Sequence, residues 1–178
     1  NDTDTRVRRI NASHWAGDVT LYAKWRYQEY PISALYYSSN GEYIAPSEDS
    51  IPESYKVTDS IFTLPTPAST DVWTFKHWEI IDADGTATTV TKIDFSKYSG
   101  KIVLHAVFDK ITYNITYDFN GGAEGTGTYL STASIGESVY VPTPTRENYH
   151  FWGWESDEVG KVANNFTLTS KNAVTLKA

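Results

Sequence analysis

The 178-residue chain contains no cysteine and no methionine. Without a thiol there is no disulfide framework, no thiolate nucleophile and no cysteine-held metal. The missing methionine suits a sequence that starts inside a longer chain, and the first residue, Asn1, points the same way. No run reaches the ~18 apolar residues of a membrane-spanning helix, and no stretch has the layout of a secretory leader. Basic residues are the minority: 15 Lys and Arg against 22 Asp and Glu leave a net charge of −7. Phosphate backbones need Lys and Arg at close quarters, so nucleic acid is not an expected partner. Clean 3.6-residue apolar spacing is also missing, which removes the long amphipathic helix.

Aromatic residues are abundant: 13 Tyr, 7 Phe and 6 Trp, in a chain that is 40% hydrophobic and 21% charged. That balance is globular, and strands accommodate aromatics better than helices do. The expected class is therefore mainly β. Self-similarity then organises the chain. "DVTLYAKW" (Asp18–Trp25), "KIVLHAVF" (Lys101–Phe108) and "AVTLKA" (Ala173–Ala178) are three versions of one alternating strand ending, with Ala23, Ala106 and Ala178 in register. Upstream, Pro65-Thr66-Pro67 matches Pro142-Thr143-Pro144, Phe75 and Trp78 match Phe151 and Trp154, and Phe95 matches Phe166. The opening "YYSSNG" (Tyr36–Gly41) matches "YDFNGG" (Tyr117–Gly122) more loosely.

Residues 1–25 are thus expected to be the tail of one repeat, 26–108 a full repeat and 109–178 a second, nearly complete one. These units exceed the roughly 20–50-residue period of stacked solenoids, so each must own a small core. In the last unit strands are expected at Ile111–Phe119, Val139–Val141, Tyr149–Glu155 and Val174–Ala178. Asn120-Gly121-Gly122 closes the first, and the proline pair stops the second. Ile80–Asp82 and Thr86–Ile93 read as a hairpin around Asp84-Gly85. Ser50–Asp59 and Leu130–Ile135 are the candidate places for a short helix, which makes the class α+β in the widest reading.

"ITYDFNGG", "VYVPTPTRENYHFWGW" and "FTLTSKNAVTLKA" together resemble the internalin-type B-repeat, or Listeria–Bacteroides repeat. Its pattern runs from a strand through Asn-Gly-Gly to Pro-x-Pro-x-Arg-x-Gly-Tyr-x-Phe-x-Gly-Trp, and closes on Thr-Leu-Tyr-Ala-Lys-Trp. The chain departs from that pattern at Trp73, at His77 in place of a Gly, and at Asn148 in place of a Gly. The resemblance implies small β-grasp-like, ubiquitin- or SUMO-like units in tandem. It implies bacterial cell-surface or secreted proteins, a stalk or adhesion role, no cofactor and no enzymatic activity.

Candidate site residues are few. Alternation from Tyr149 to Trp152 puts Tyr149 and Phe151 on the core face, with His150 and Trp152 opposite. Lys76 is the counterpart of Trp152, so that face is expected to be exposed. An exposed Trp can stack on a sugar ring, touch a neighbouring repeat, or simply stand at the surface. Trp152 is therefore the candidate binding residue, with host glycan or extracellular-matrix protein as possible partners. His14, His77, His105 and His150 show no metal-ligand spacing, and "DADG" (Asp82–Gly85) lacks the Gly and Glu positions of a calcium loop. No acid, histidine and nucleophile recur together in both units, so no catalytic residue is assigned.

Overall fold

Strand β7 (Ile102–Lys110) shows how this sequence builds a sheet. Its inward residues Ile102, Leu104, Ala106 and Phe108 are between 0% and 3% exposed, while Val103, His105 and Val107 on the other face are half-covered. The period of two seen in the sequence is the period of the pleat. The computed structural model describes residues 17–45 and 50–178. Around β7 lie β1 (Tyr30–Ser38), β2 (Ser54–Tyr55), β4 (Trp73–Ile81) and β5 (Ala87–Val90), in the order β2-β1-β7-β4-β5. Two short strands, β3 (Phe62–Thr63) and β6 (Lys92–Ile93), pair beside this sheet.

The same plan follows in residues 113–178. β8 (Tyr113–Asp118), β9 (Thr132–Ala133), β11 (Trp154–Ser156), β12 (Gly160–Val162) and β14 (Val174–Lys177) form a sheet in the order β9-β8-β14-β11-β12. The short pair here is β10 (Ser138–Tyr140) with β13 (Asn165–Thr167). In each sheet the first and last strands are parallel neighbours at the centre, β1 with β7 and β8 with β14. Each sheet covers its own core. One holds Trp78, Ile80, Ile93, Phe95, Leu104 and Phe108 among others, and the other Val139, Trp154, Leu168, Val174 and Leu176. The fold is mainly β.

Four expectations need correction. No α-helix occurs among the described residues; a 3-10 turn at Phe95–Lys97 is present instead. Ser50–Asp59 instead holds the short strand β2 and a turn closed by the Asp59 N–H on the Lys56 carbonyl, anchored where Tyr55, 1% exposed, stacks on Phe95 at 4.8 Å and donates its hydroxyl to the Gly100 carbonyl at 2.7 Å. In Leu130–Ile135 the backbone is drawn into β9, with buried Ala133 paired to Tyr113.

Secondly, Asp18–Trp25 forms no strand; residues 17–29 are exposed throughout, with Trp25 90% exposed. Alternation alone does not make a strand without a neighbour to satisfy its N–H and C=O groups. Thirdly, the aromatic strand of the second sheet starts only at Trp154. Asn148 at φ 63° and Gly153 at φ 143° break the extended run that β4 maintains from Trp73, where His77 stands in place of glycine. Fourthly, ladder register moves two of the sequence matches, Phe95 with Phe166 and Tyr36 with Tyr117. Phe166 pairs with Val139 as Ile93 pairs with Phe62, so Leu168, not Phe166, holds the place of Phe95. The expected hairpin at Asp84-Gly85 does form, with the Thr86 N–H donating to Asp84 Oδ1 at 3.0 Å.

Candidate functional site

The irregular backbone before β11 places Trp152 almost wholly in solvent, at 99% exposure. Its sequence counterpart Lys76 is exposed too, with Nζ 3.2 Å from Asp109. Tyr149, expected on the core face beside Phe151, is instead 64% exposed. The turn that puts it there closes with the Tyr149 N–H donating to the Arg146 carbonyl at 3.1 Å. The Arg146 guanidinium then lies over the Tyr149 ring, 4.1 Å from its centroid, and donates from Nη1 to the Asn120 carbonyl at 2.9 Å. Asn120 in turn, in the left-handed region at φ 49°, donates from Nδ2 to the Ala178 carbonyl at 3.0 Å.

These residues rim a cleft of 220 Å³ just beyond the end of β14, with Phe119 and Phe151 as its apolar walls. The arrangement offers an aromatic plane, an indole and a guanidinium, which suits stacking and hydrogen bonding. His150 also lines it and is exposed. The other described histidines sit elsewhere. His77 Nε2 is 3.6 Å and His105 Nδ1 4.0 Å from the Glu79 carboxylate, on the outer face of the first sheet. No group of three His, Cys, Asp or Glu that could hold a metal occurs among the described residues, and His14 lies outside them.

A second constellation joins the two sheets, and sequence reasoning missed it. Only Ile111 and Thr112 separate β7 from β8. The Ile111 N–H donates to the Val72 carbonyl at 2.7 Å, and its carbonyl accepts from Ser134 Oγ at 2.8 Å. One residue is thus gripped from both sides. Tyr113 donates its hydroxyl to the Asp71 carbonyl at 3.2 Å, while Lys171 Nζ meets Asp71 Oδ1 at 2.7 Å. Lys110 pairs with Glu137, whose other carboxylate oxygen accepts from the Ser134 N–H at 2.9 Å. The Lys110 hydrogen bond, seconded by that N–H, holds the Glu137 carboxyl below its ordinary pKa; Asp71 likewise raises that of Lys171. No repeated motif marks these residues, because a joint of this kind occurs once between two units.

Residues 113–178 match the family model described as the Listeria-Bacteroides repeat domain. Over that stretch the chain is similar to Listeria–Bacteroides repeats. Across 90% of its length the chain is 29% identical to a "Putative Gly-rich membrane protein" of Evansella cellulosilytica, covering 17% of that protein. A "Putative membrane protein" of the same organism matches 84% of the chain at 27% identity, over 20% of its own length. The chain therefore spans a fifth or less of these curated relatives. Among solved structures, domains 3-4 of the Streptococcal High Identity Repeats in Tandem, from a cell surface protein, match 83% of this chain and 97% of that one. Identity there is 18% and the TM-score 0.30. No described helix of this chain is long and apolar enough to cross a membrane.

Proposed function

We propose that this chain is a non-catalytic spacer segment of a bacterial cell-surface or secreted protein. In this reading residues 26–108 and 109–178 are tandem β-grasp-like repeats, and residues 1–25 are the end of another. One observation carries it: two sheets of the same strand order follow each other, and the residue between them, Ile111, is hydrogen-bonded to both units. Such a connection favours a fixed reach over a flexible tether. The Listeria–Bacteroides repeat match and the membrane-protein names of the relatives support a surface setting. The central parallel pair of first and last strands supports the β-grasp-like description, without an α-helix among the described residues.

Small-angle scattering tests the spacer. An elongated particle is expected, and a compact sphere would sink the reading.

A second reading has its own observation, the 99% exposure of Trp152 beside Arg146 and Tyr149. Here the chain is an adhesion module that stacks a host glycan or extracellular-matrix protein on this surface. A panel of glycans and matrix proteins, probed with the chain and with Trp152→Ala, separates the two. Capture that the substitution abolishes favours the module; no capture by a well-folded chain favours the spacer.

A further inference from the structure

A stalk is pulled on, and the strand plan of this chain answers to pulling in a particular way. β1 and β7 pair in parallel over seven residue pairs, from Ile32↔Ile102 to Ser38↔Phe108. Because the strands are parallel, the chain enters the pair at one end and leaves it at the other. Tension along the chain must therefore slide one strand past the other, loading every hydrogen bond of the ladder together. An antiparallel pair of terminal strands would have its entry and exit at the same end, and would open one bond at a time.

We propose that the segment has a tension-bearing function, with the central parallel pair of each sheet as the clamp. The biological sense rests on the spacer reading; the mechanical property does not. In the first sheet β7 is held from both sides, since β4 pairs with it over a further seven residue pairs. Sliding β7 also drags Ile102, Leu104, Ala106 and Phe108, all at most 3% exposed, through the core. The second sheet has the same geometry with a shorter ladder. β8 and β14 share four pairs, Ile115↔Val174 to Asp118↔Lys177, and β11 adds the Glu155↔Lys177 pair. The two clamps are in series through Ile111 and Thr112. The Ile111–Val72 and Ile111–Ser134 hydrogen bonds leave little slack between them.

The absence of cysteine makes the test direct, because any thiol introduced is a unique handle. Glu29, Asn40 and Thr112 are all exposed. Glu29→Cys with Thr112→Cys pulls β1 and β7 from opposite ends. Asn40→Cys with Thr112→Cys pulls the same two strands from one end. Equal thermal midpoints for the two double variants establish that both are folded alike. In single-molecule force spectroscopy the first pair should unfold at a several-fold higher force than the second. Each event should release the residues between the handles, at up to about 3.6 Å apiece. With handles at the chain ends, the second sheet should yield before the first. Equal forces in the two directions would overturn the proposal, as would the first sheet yielding before the second. A compact scattering profile would instead overturn the spacer reading and leave the force difference standing.

Discussion

Trp154 donates its indole N–H to the carbonyl of Pro142 across 2.8 Å, and Trp78 does the same to Pro65 across 2.7 Å. Each indole is at most 3% exposed, so its N–H needs a partner inside the protein. The proline carbonyl is available because the Pro-Thr-Pro segment makes no ladder at that point. The two motifs that drew attention in the sequence, the proline pair and the aromatic cluster, are therefore halves of one interaction. Trp154→Phe should cost about 1–3 kcal/mol through the orphaned carbonyl and lost volume. Hydrogen exchange should show the loss in β8, β11 and β14 and leave β1 and β7 protected. A uniform loss across both sheets would mean that the two cores are coupled.

Asn148 stands in the left-handed region at φ 63°, at the position where the repeat pattern has glycine. Asn tolerates that conformation better than other side chains, and glycine tolerates it without strain. Asn148→Gly should thus leave stability within about 0.5 kcal/mol, whereas Asn148→Ala should lose about 1 kcal/mol. Chemical denaturation of the two variants measures the difference. Equal losses would show that the Asn side chain matters and its backbone does not.

Glu137 gives the joint a pH dependence. Its carboxyl is held below the ordinary value first by the Lys110 hydrogen bond and then by the Ser134 N–H. A depressed carboxylate adds stability that is fully present above the unfolded-state pKa of about 4.3 and is lost as pH falls through the folded value. Thermal midpoints measured from pH 7 down to pH 3 should fall less steeply in Glu137→Gln than in the wild-type chain, with the gap closing below about pH 4. Parallel curves would mean that Glu137 is as solvated when folded as when unfolded.

Period-two alternation made β7, β8 and β14 legible, because each buries one face against a core. Turn chemistry did the same for the Asp84-Gly85 and Asn120-Gly121 turns. Register was less legible. Lys177 pairs with Asp118, so Ala178 comes level with Phe119, whereas Ala106 pairs with Tyr36. The match of Tyr36 to Tyr117 follows the turn and misses this two-residue shift in the ladder. Trp152 could be read as exposed from its counterpart Lys76. The stacking of Arg146 on Tyr149 could not, since it depends on a positive φ at Asn148 that alternation cannot encode. The joint at Ile111 was invisible for a different reason: a hydrogen bond accepted by a backbone carbonyl, such as that of Val72, leaves no trace in side-chain pattern.

The cleft beside Trp152 has an internal template in the first sheet. Phe108 lies two residues past Ala106, which faces Trp78, and it packs edge-on against Phe75 with ring centroids 5.6 Å apart. By the Glu155↔Lys177 pairing, Ala178 comes level with Trp154, and the cleft beyond it is walled by Phe119 and Phe151. An aromatic two residues further along the strand would sit where Phe108 sits in the first sheet. Adding Lys-Trp after Ala178, copied from Lys24-Trp25, should fill the cleft and raise stability by about 1.5–3 kcal/mol, the worth of burying one large apolar side chain. Gly-Gly at the same place should do far less. The gain should survive Trp152→Ala, because the seat is made by Phe119 and Phe151. An aromatic extension that stabilises no more than Gly-Gly would show that the cleft is not built for the chain's own strand. It would then stand open to an outside ligand, which is the condition the adhesion reading needs.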